Sequence, residues 1–295
     1  MTTRAIEKVL SGLVDMHCHS GPSPFPRRVD HVEAARDGAE RLQMRAIVVK
    51  SHHHSTVMDV RAMQPQLAGI STQVFGGIAL NNPVGGLNYY AVEMAVRMGG
   101  KVVWFPTFAS GRHIDNHPED KGFPSATVEL TTKRIDVSVD GELVPEVDPI
   151  LDLIAESGVV LNGGHMYPDD IRAVFTRAKE KGIKRMVVSH PDFVIGAEPA
   201  LCHEYVKLGA FIEHEIHMYD SETSIAWDPS QLMRWIEEIG PEHTVLSSDL
   251  GQLNHPLPVD AYLRVSAALL DLGLPERDLQ LMVRDNPSAL LGLDD

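Results

Sequence analysis

The sequence predicts an α/β fold, a (β/α)8 TIM barrel with a small β-hairpin insertion after strand 4. Two observations carry this. Eight short β-rich runs recur along the chain, and the stretches between them place apolar residues at helical spacing, several closing on a glycine where a helix end wants a left-handed residue. Strands alternating with helices imply a parallel sheet with crossover helices. Eight such units fit a closed barrel better than a doubly wound open sheet. Barrels of this kind use about 250 residues as one unit, so the 295-residue chain reads as a single domain over 1–295.

The strands are expected at GLVDMHCH (12–19), RAIVVKS (45–51), QVFGGIAL (73–80), KVVWFPT (101–107), GVVLNGGH (158–165), KRMVVSH (184–190), AFIEHEI (210–216) and HTVLSSD (243–249). Helical patterns follow in HVEAARDGAERLQM, NYYAVEMAVRMGG, PDDIRAVFTRAKEKG, EPALCHEYVKLG, DPSQLMRWIEEIG and VDAYLRVSAALLDLG. The interruption is the stretch 108–147, longer than a standard loop, where Asp140–Gly141 between β-prone runs reads as a hairpin turn.

Composition narrows the function classes. A formal charge of −15 and 43% hydrophobic residues describe a chain with a sizeable core and an acidic surface. Nucleic acid and anionic membranes both need a basic face, so neither is an expected partner. Cys18 and Cys202 are far apart and belong to no Cys-x-x-Cys pair, which argues against a disulfide framework or a thiolate zinc site. With no signal peptide and no long apolar stretch, the expected location is the cytoplasm. Barrels of this kind often form symmetric assemblies, so a homo-oligomer is compatible with the sequence.

The chemistry begins at DMHCH. Alternate side chains of a strand share a face, so Asp15, His17 and His19 point one way, and two histidines one residue apart can close on one cation. Active sites of α/β barrels lie at the C-terminal strand ends. His17 and His19 end strand 1, Lys50 ends strand 2, His165 follows strand 5, His190 ends strand 6 and Asp249 ends strand 8.

With DMHCH, one histidine after each of strands 5 and 6, an aspartate after strand 8 and a closing DNPSALLGL (285–293), the sequence resembles the metal-dependent amidohydrolase superfamily. The resemblance implies that His17, His19 and Asp249 bind one divalent ion and His165 and His190 a second. Zinc or manganese suits such ligands, as do iron and nickel. It further implies a hydrolase in which Asp249 takes a proton from water and passes it to the leaving group, with Asp15 orienting the histidines. Strand 4 lacks the carboxylated lysine or glutamate that usually bridges two ions. Lys50, carboxylated, is the best substitute, and its rivals are His52, His53 and His54, or a single ion with no bridge. Glu213, His214, Glu215 and His217 form a reserve, since strand 7 contributes no ligand in that superfamily.

The expected substrate is a small molecule, a cyclic amide, lactone or related ester. Arg27 and Arg28 are candidates for holding a carboxylate or phosphate. His52, His54, Asn82 and Arg112 are further substrate-binding candidates, beside Asn81, Tyr89, Tyr90, His113 and His117. Two alternatives stand: a mononuclear decarboxylase or other lyase, and a noncatalytic metal-binding scaffold.

Overall fold

The computed structural model describes residues 2–116 and 130–293; residues 117–129 of the expected insertion, His117 among them, lie outside the described residues. Among the described residues ten strands follow one another: β1 (Val14–Cys18), β2 (Ala46–Val49), β3 (Gln73–Ala79), β4 (Val102–Trp104), β5 (Ser138–Val139), β6 (Glu142–Leu143), β7 (Val160–Asn162), β8 (Met186–Ser189), β9 (Ala210–Glu215) and β10 (Thr244–Ser247). Eight form one sheet in the order β1-β2-β3-β4-β7-β8-β9-β10. Each of the eight falls inside a run expected from sequence. The other two, β5 and β6, pair antiparallel about Asp140–Gly141. Both turn residues have positive φ, 52° and 84°, as a tight two-residue hairpin requires.

Neighbouring strands run parallel where β1 meets β2, β3 meets β4, β4 meets β7 and β7 meets β8. The last strand returns to the first. Cys18 and Leu250 form a parallel bridge, His19 N donates to Leu250 O at 2.7 Å, and Asp249 N donates to His17 O at 2.7 Å. Sequential strand order with that return is the (β/α)8 barrel.

The chain divides into two compact units, one of Met1–Val49, Val60–Phe75 and Glu213–Asp295, the other of Lys50–Asp59 and Gly76–Ile212. In the first, the helix His31–Leu42 starts on a capping box. Asp30 Oδ1 accepts from Glu33 N at 2.7 Å and Asp30 N donates to Glu33 Oε2 at 2.9 Å, satisfying two otherwise orphaned donors. Its apolar face joins Leu10, Leu13, Ile47, Leu232, Tyr262 and Leu269 in a single core. Buried Asp220 anchors Arg264 through two bonds of 2.7 Å.

The second unit packs Val102, Trp104, Ile150, Ile154, Leu161, Phe175 and Tyr205 at 2% exposure or less. Prolines open the helices Pro168–Glu180 and Pro199–Leu208, where a missing N–H costs nothing. The helix Val147–Ser157, unnamed by the sequence patterns, ends on Gly158 at φ 64°. Both cysteines are buried and unpaired with one another. No described helix is long and apolar enough to cross a membrane.

Candidate metal centre

In the first unit, β1 buries all five of its side chains, so parity there sorts one interior face from another. Val14, Met16 and Cys18 take the apolar side. His17 and His19 reach the carboxylate of Asp249: Nε2 of His17 lies 3.2 Å and Nε2 of His19 3.0 Å from Oδ1. A third imidazole joins them, His217 Nδ1 at 3.4 Å from Oδ2. Burial alone would raise the Asp249 carboxyl, but His17, His217 and His19 outweigh it and hold it well below the usual carboxylate range. Asp249 is therefore an anion throughout the neutral range.

Its backbone is strained. Asp249 sits at φ 52°, a left-handed conformation that aspartate tolerates better than most residues. Gly251 beside it, at φ 138°, brings the backbone so close that a Cβ would lie 2.3 Å from the carbonyl carbon of His19 and 2.4 Å from its oxygen. Asp15 ties the two strand ends together, because its Oδ1 accepts from His17 N at 3.1 Å and from Ser248 N at 3.0 Å. Burial pushes the Asp15 carboxyl up to about 6 despite those bonds. Both bonds of Asp15 are to backbone N–H groups and not to a histidine ring.

The other nitrogen of His17 faces acids. Nδ1 lies 3.6 Å from Glu213 and 3.5 Å from Glu215, the outer contact that a metal-binding histidine usually makes. Burial pushes Glu215 well above the usual carboxylate range; His17 pulls it back and Glu213 adds to the rise. His214, of opposite parity, packs on Trp235 at 5.2 Å between ring centres. Imidazoles gathered on a carboxylate, one imidazole backed by acids, are a donor set that fits a zinc-like ion once the rings have given up their protons.

The second unit carries the other sequence-named residues. Lys50 is 1% exposed with Nζ 5.4 Å from the centre of the Trp104 ring. His165 and His190 stand edge to face at 5.1 Å between ring centres. Asn162 holds both strand ends, its Oδ1 accepting from Gly164 N at 2.9 Å and its Nδ2 donating to Ser189 Oγ at 2.7 Å. Gly164 is at φ 60° with the Phe105 carbonyl 2.3 Å from where a Cβ would stand, which is why the run reads NGGH. His190, at φ 53°, is the second strained non-glycine residue at a named position. Nδ1 of His165 and Nδ1 of His113 are 3.0 Å apart, so one of them carries the proton. With His165 as donor, its Nε2 keeps a lone pair for an ion.

The substrate-binding candidates have diverse surroundings. His52 Nδ1 is 2.8 Å from Thr107 Oγ1. His54 uses both nitrogens, with Ser51 at 2.9 Å and Asp59 at 2.6 Å, and so serves its own loop. Asn82 is committed to the backbone of Lys133 by two bonds of 2.8 Å. Its neighbour Asn81 does the interior work, bonding Thr107 and the carbonyl of His52. Arg112 donates to Val194 O at 3.2 Å, bracing the turn after His190. In the first unit Arg28 is exposed and donates to His255 O at 2.5 Å, while Arg27 is half-buried.

A model of a family of unknown function, DUF6282, matches residues 12–213, more than half of the chain. The chain belongs to this family. The DUF6282 match takes in His17, His19, Lys50, His165 and His190 and stops short of His217 and Asp249. No curated protein matches the chain in sequence. Among solved structures, this DUF6282 member is similar to an amidohydrolase from Pseudomonas aeruginosa, with a TM-score of 0.65 and 12% identity over 99% of this chain and 98% of that one. It is similar to an organophosphorus hydrolase from Deinococcus radiodurans, TM-score 0.60 and 15% identity over 95% and 92%. A lactonase from Listeria monocytogenes gives 0.58 and 13% over 96% and 95%. What these likenesses establish for the DUF6282 chain is a shared fold.

Proposed function

We propose that the protein is a metal-dependent hydrolase that opens a small lactone, cyclic amide or related ester. The observation that carries the reading is Asp249, held anionic at a strained strand end among the rings of His17, His19 and His217. Those four residues would hold one divalent ion, and His165 and His190 a second, to which a carboxylated Lys50 would add an oxygen. A bound ion of this type acidifies water and polarises the scissile oxygen. The chain's own part is to receive and return the proton: Asp249 accepts it from the attacking water and delivers it to the leaving group. The names printed for the similar structures, a lactonase and an organophosphorus hydrolase among them, support hydrolysis as the class. The proposal keeps the cytoplasm as the location, zinc or manganese as the ion, and a small molecule as the partner, in a chain that acts as one domain.

A lyase with a single ion is the second reading. It is favoured by the meeting of three imidazoles of the first unit, His17, His19 and His217, at the one carboxylate of Asp249. Elemental analysis of the purified protein separates the two. About two ions per chain, with turnover in a lactone and cyclic amide screen, is the expected result; one ion with no hydrolysis transfers the proposal to the lyase, and none after reconstitution with zinc or manganese ends both.

Metal retention is expected to depend on pH through the histidines and not through Asp249. Imidazoles must be neutral to bind an ion, and their ordinary pKa is about 6.5. Asp249, depressed well below its usual range, stays charged across that window. Loss of the ion on acidification should therefore follow protonation of the imidazoles. The difference in Tm between loaded and metal-free protein should shrink as pH falls from 8 to 5; a gap that stays constant would contradict imidazole ligation.

A further inference from the structure

Arg27 is a half-buried cation with no acid paired to it among the described residues. Three other partly buried arginines of its unit are paired, Arg264 with Asp220 at 2.7 Å, Arg41 with Asp260 at 2.6 Å and Arg284 with Asp285 at 2.8 Å. Arg27 makes no ion pair among the described residues, in a chain with 41 acidic residues against 26 basic ones. Its hydrogen bond is from Nη2 to Ser23 Oγ at 3.1 Å, and its buried Nε meets no acceptor among the described residues. Desolvated charges are ordinarily paired. Nε–H and the second hydrogen of Nη2 form one edge of the guanidinium fork, the edge that fits two oxygens of one carboxylate.

The position of Arg27 says where that carboxylate would lie. Residue 27 forms an antiparallel bridge with Gln252, and Arg28 N donates to Gly251 O at 2.8 Å, so this loop is clamped to the segment that carries Asp249. The Asp249 charge acts on both Arg27 and His255. Asp249 is already engaged by three imidazoles and is no counterion for Arg27. Two more buried polar atoms on the same segment have no hydrogen-bond partner among the described residues, Oε1 of Gln252 and Nδ1 of His255. Gln252 is 8% exposed, and its Nε2 is fixed by Asp249 O at 2.9 Å.

We propose that Arg27 receives a carboxylate carried by the substrate, with Gln252 and His255 beside it, so that the compound hydrolysed is an anion. The inference rests on the hydrolase reading and narrows its substrate class. A net charge of −15 gives no long-range attraction for such a ligand. Selection has to occur by contact at the guanidinium.

The test is a binding measurement. Monohydroxamates of succinate, glutarate and adipate, and the uncharged alkyl hydroxamates of the same lengths, are titrated calorimetrically into zinc-loaded protein, since the hydroxamate group chelates the ion. At least one carboxylated probe should bind about ten-fold tighter than its alkyl counterpart, a difference of about 1.4 kcal/mol. Arg27→Met should erase that preference, and Arg27→Lys should keep part of it with the fold intact. Equal affinities within every pair, or a preference that survives in Arg27→Met, overturn the inference while leaving the metal reading standing. If no hydroxamate binds, the metal reading falls instead. Glutarate titrated into the metal-free protein then decides Arg27, by weaker binding in Arg27→Met or by no difference.

Discussion

Replacing Asp249 by asparagine is expected to lower kcat by about 10²–10⁴-fold, the range that a positioned proton acceptor contributes, while ion content falls much less. Asparagine can still aim an oxygen toward the ring nitrogens of His17 and His19, which lie 3.2 and 3.0 Å from Oδ1. It cannot take a proton. Because three imidazoles hold the native carboxyl well below its ordinary range, the acidic limb of the pH–rate profile in the parent should not come from Asp249. Steady-state kinetics on the best substrate from the lactone screen, with metal analysis of the same preparations, reads both effects. A variant keeping more than a tenth of parental kcat would remove Asp249 from the proton path.

Gly251→Ala is expected to destabilise the protein by about 2–4 kcal/mol, combining backbone strain with overpacking. The new methyl would meet the backbone of His19 at 2.3 Å with no flexible side chain to yield. Relief requires the Asp249 segment to move away from β1, so ion content should fall with stability. Gly273→Ala is the control, since Gly273 also has positive φ, 102°, with nothing within 4 Å of the added carbon. It should cost about 1 kcal/mol. Urea midpoints at constant m separate the two, and equal losses would mean that the close approach is unimportant.

Much of this was legible because the interior of a parallel barrel imposes rules on short runs of sequence. Period-two alternation in DMHCH placed Asp15, His17 and His19 on one face, and the strand-end rule located Asp249. The same parity runs through Glu213, Glu215 and His217, so the signal for the third imidazole was present. The superfamily that the sequence resembles takes no ligand from the corresponding strand, which keeps that signal behind the other histidines. Contacts made through loops were not legible. Nothing in NNP indicates that Asn81 turns inward and Asn82 outward, since that choice depends on Thr107 and Lys133, both distant in sequence. The three histidines at 52–54 look equivalent on paper, yet His54 is consumed by Ser51 and Asp59.

The bond from Ser248 N to Asp15 Oδ1 joins residues 233 positions apart. A nascent chain therefore exposes its His-x-His pair long before Asp249 and His217 exist to complete the donor set. Drawing such distant segments together in an unfolded chain costs about 5 kcal/mol in loop closure alone, which two exposed imidazoles gripping an ion do not offset. On the proposed reading, loading would follow folding, and the ion taken up would be the one offered to a finished barrel and not to a growing peptide.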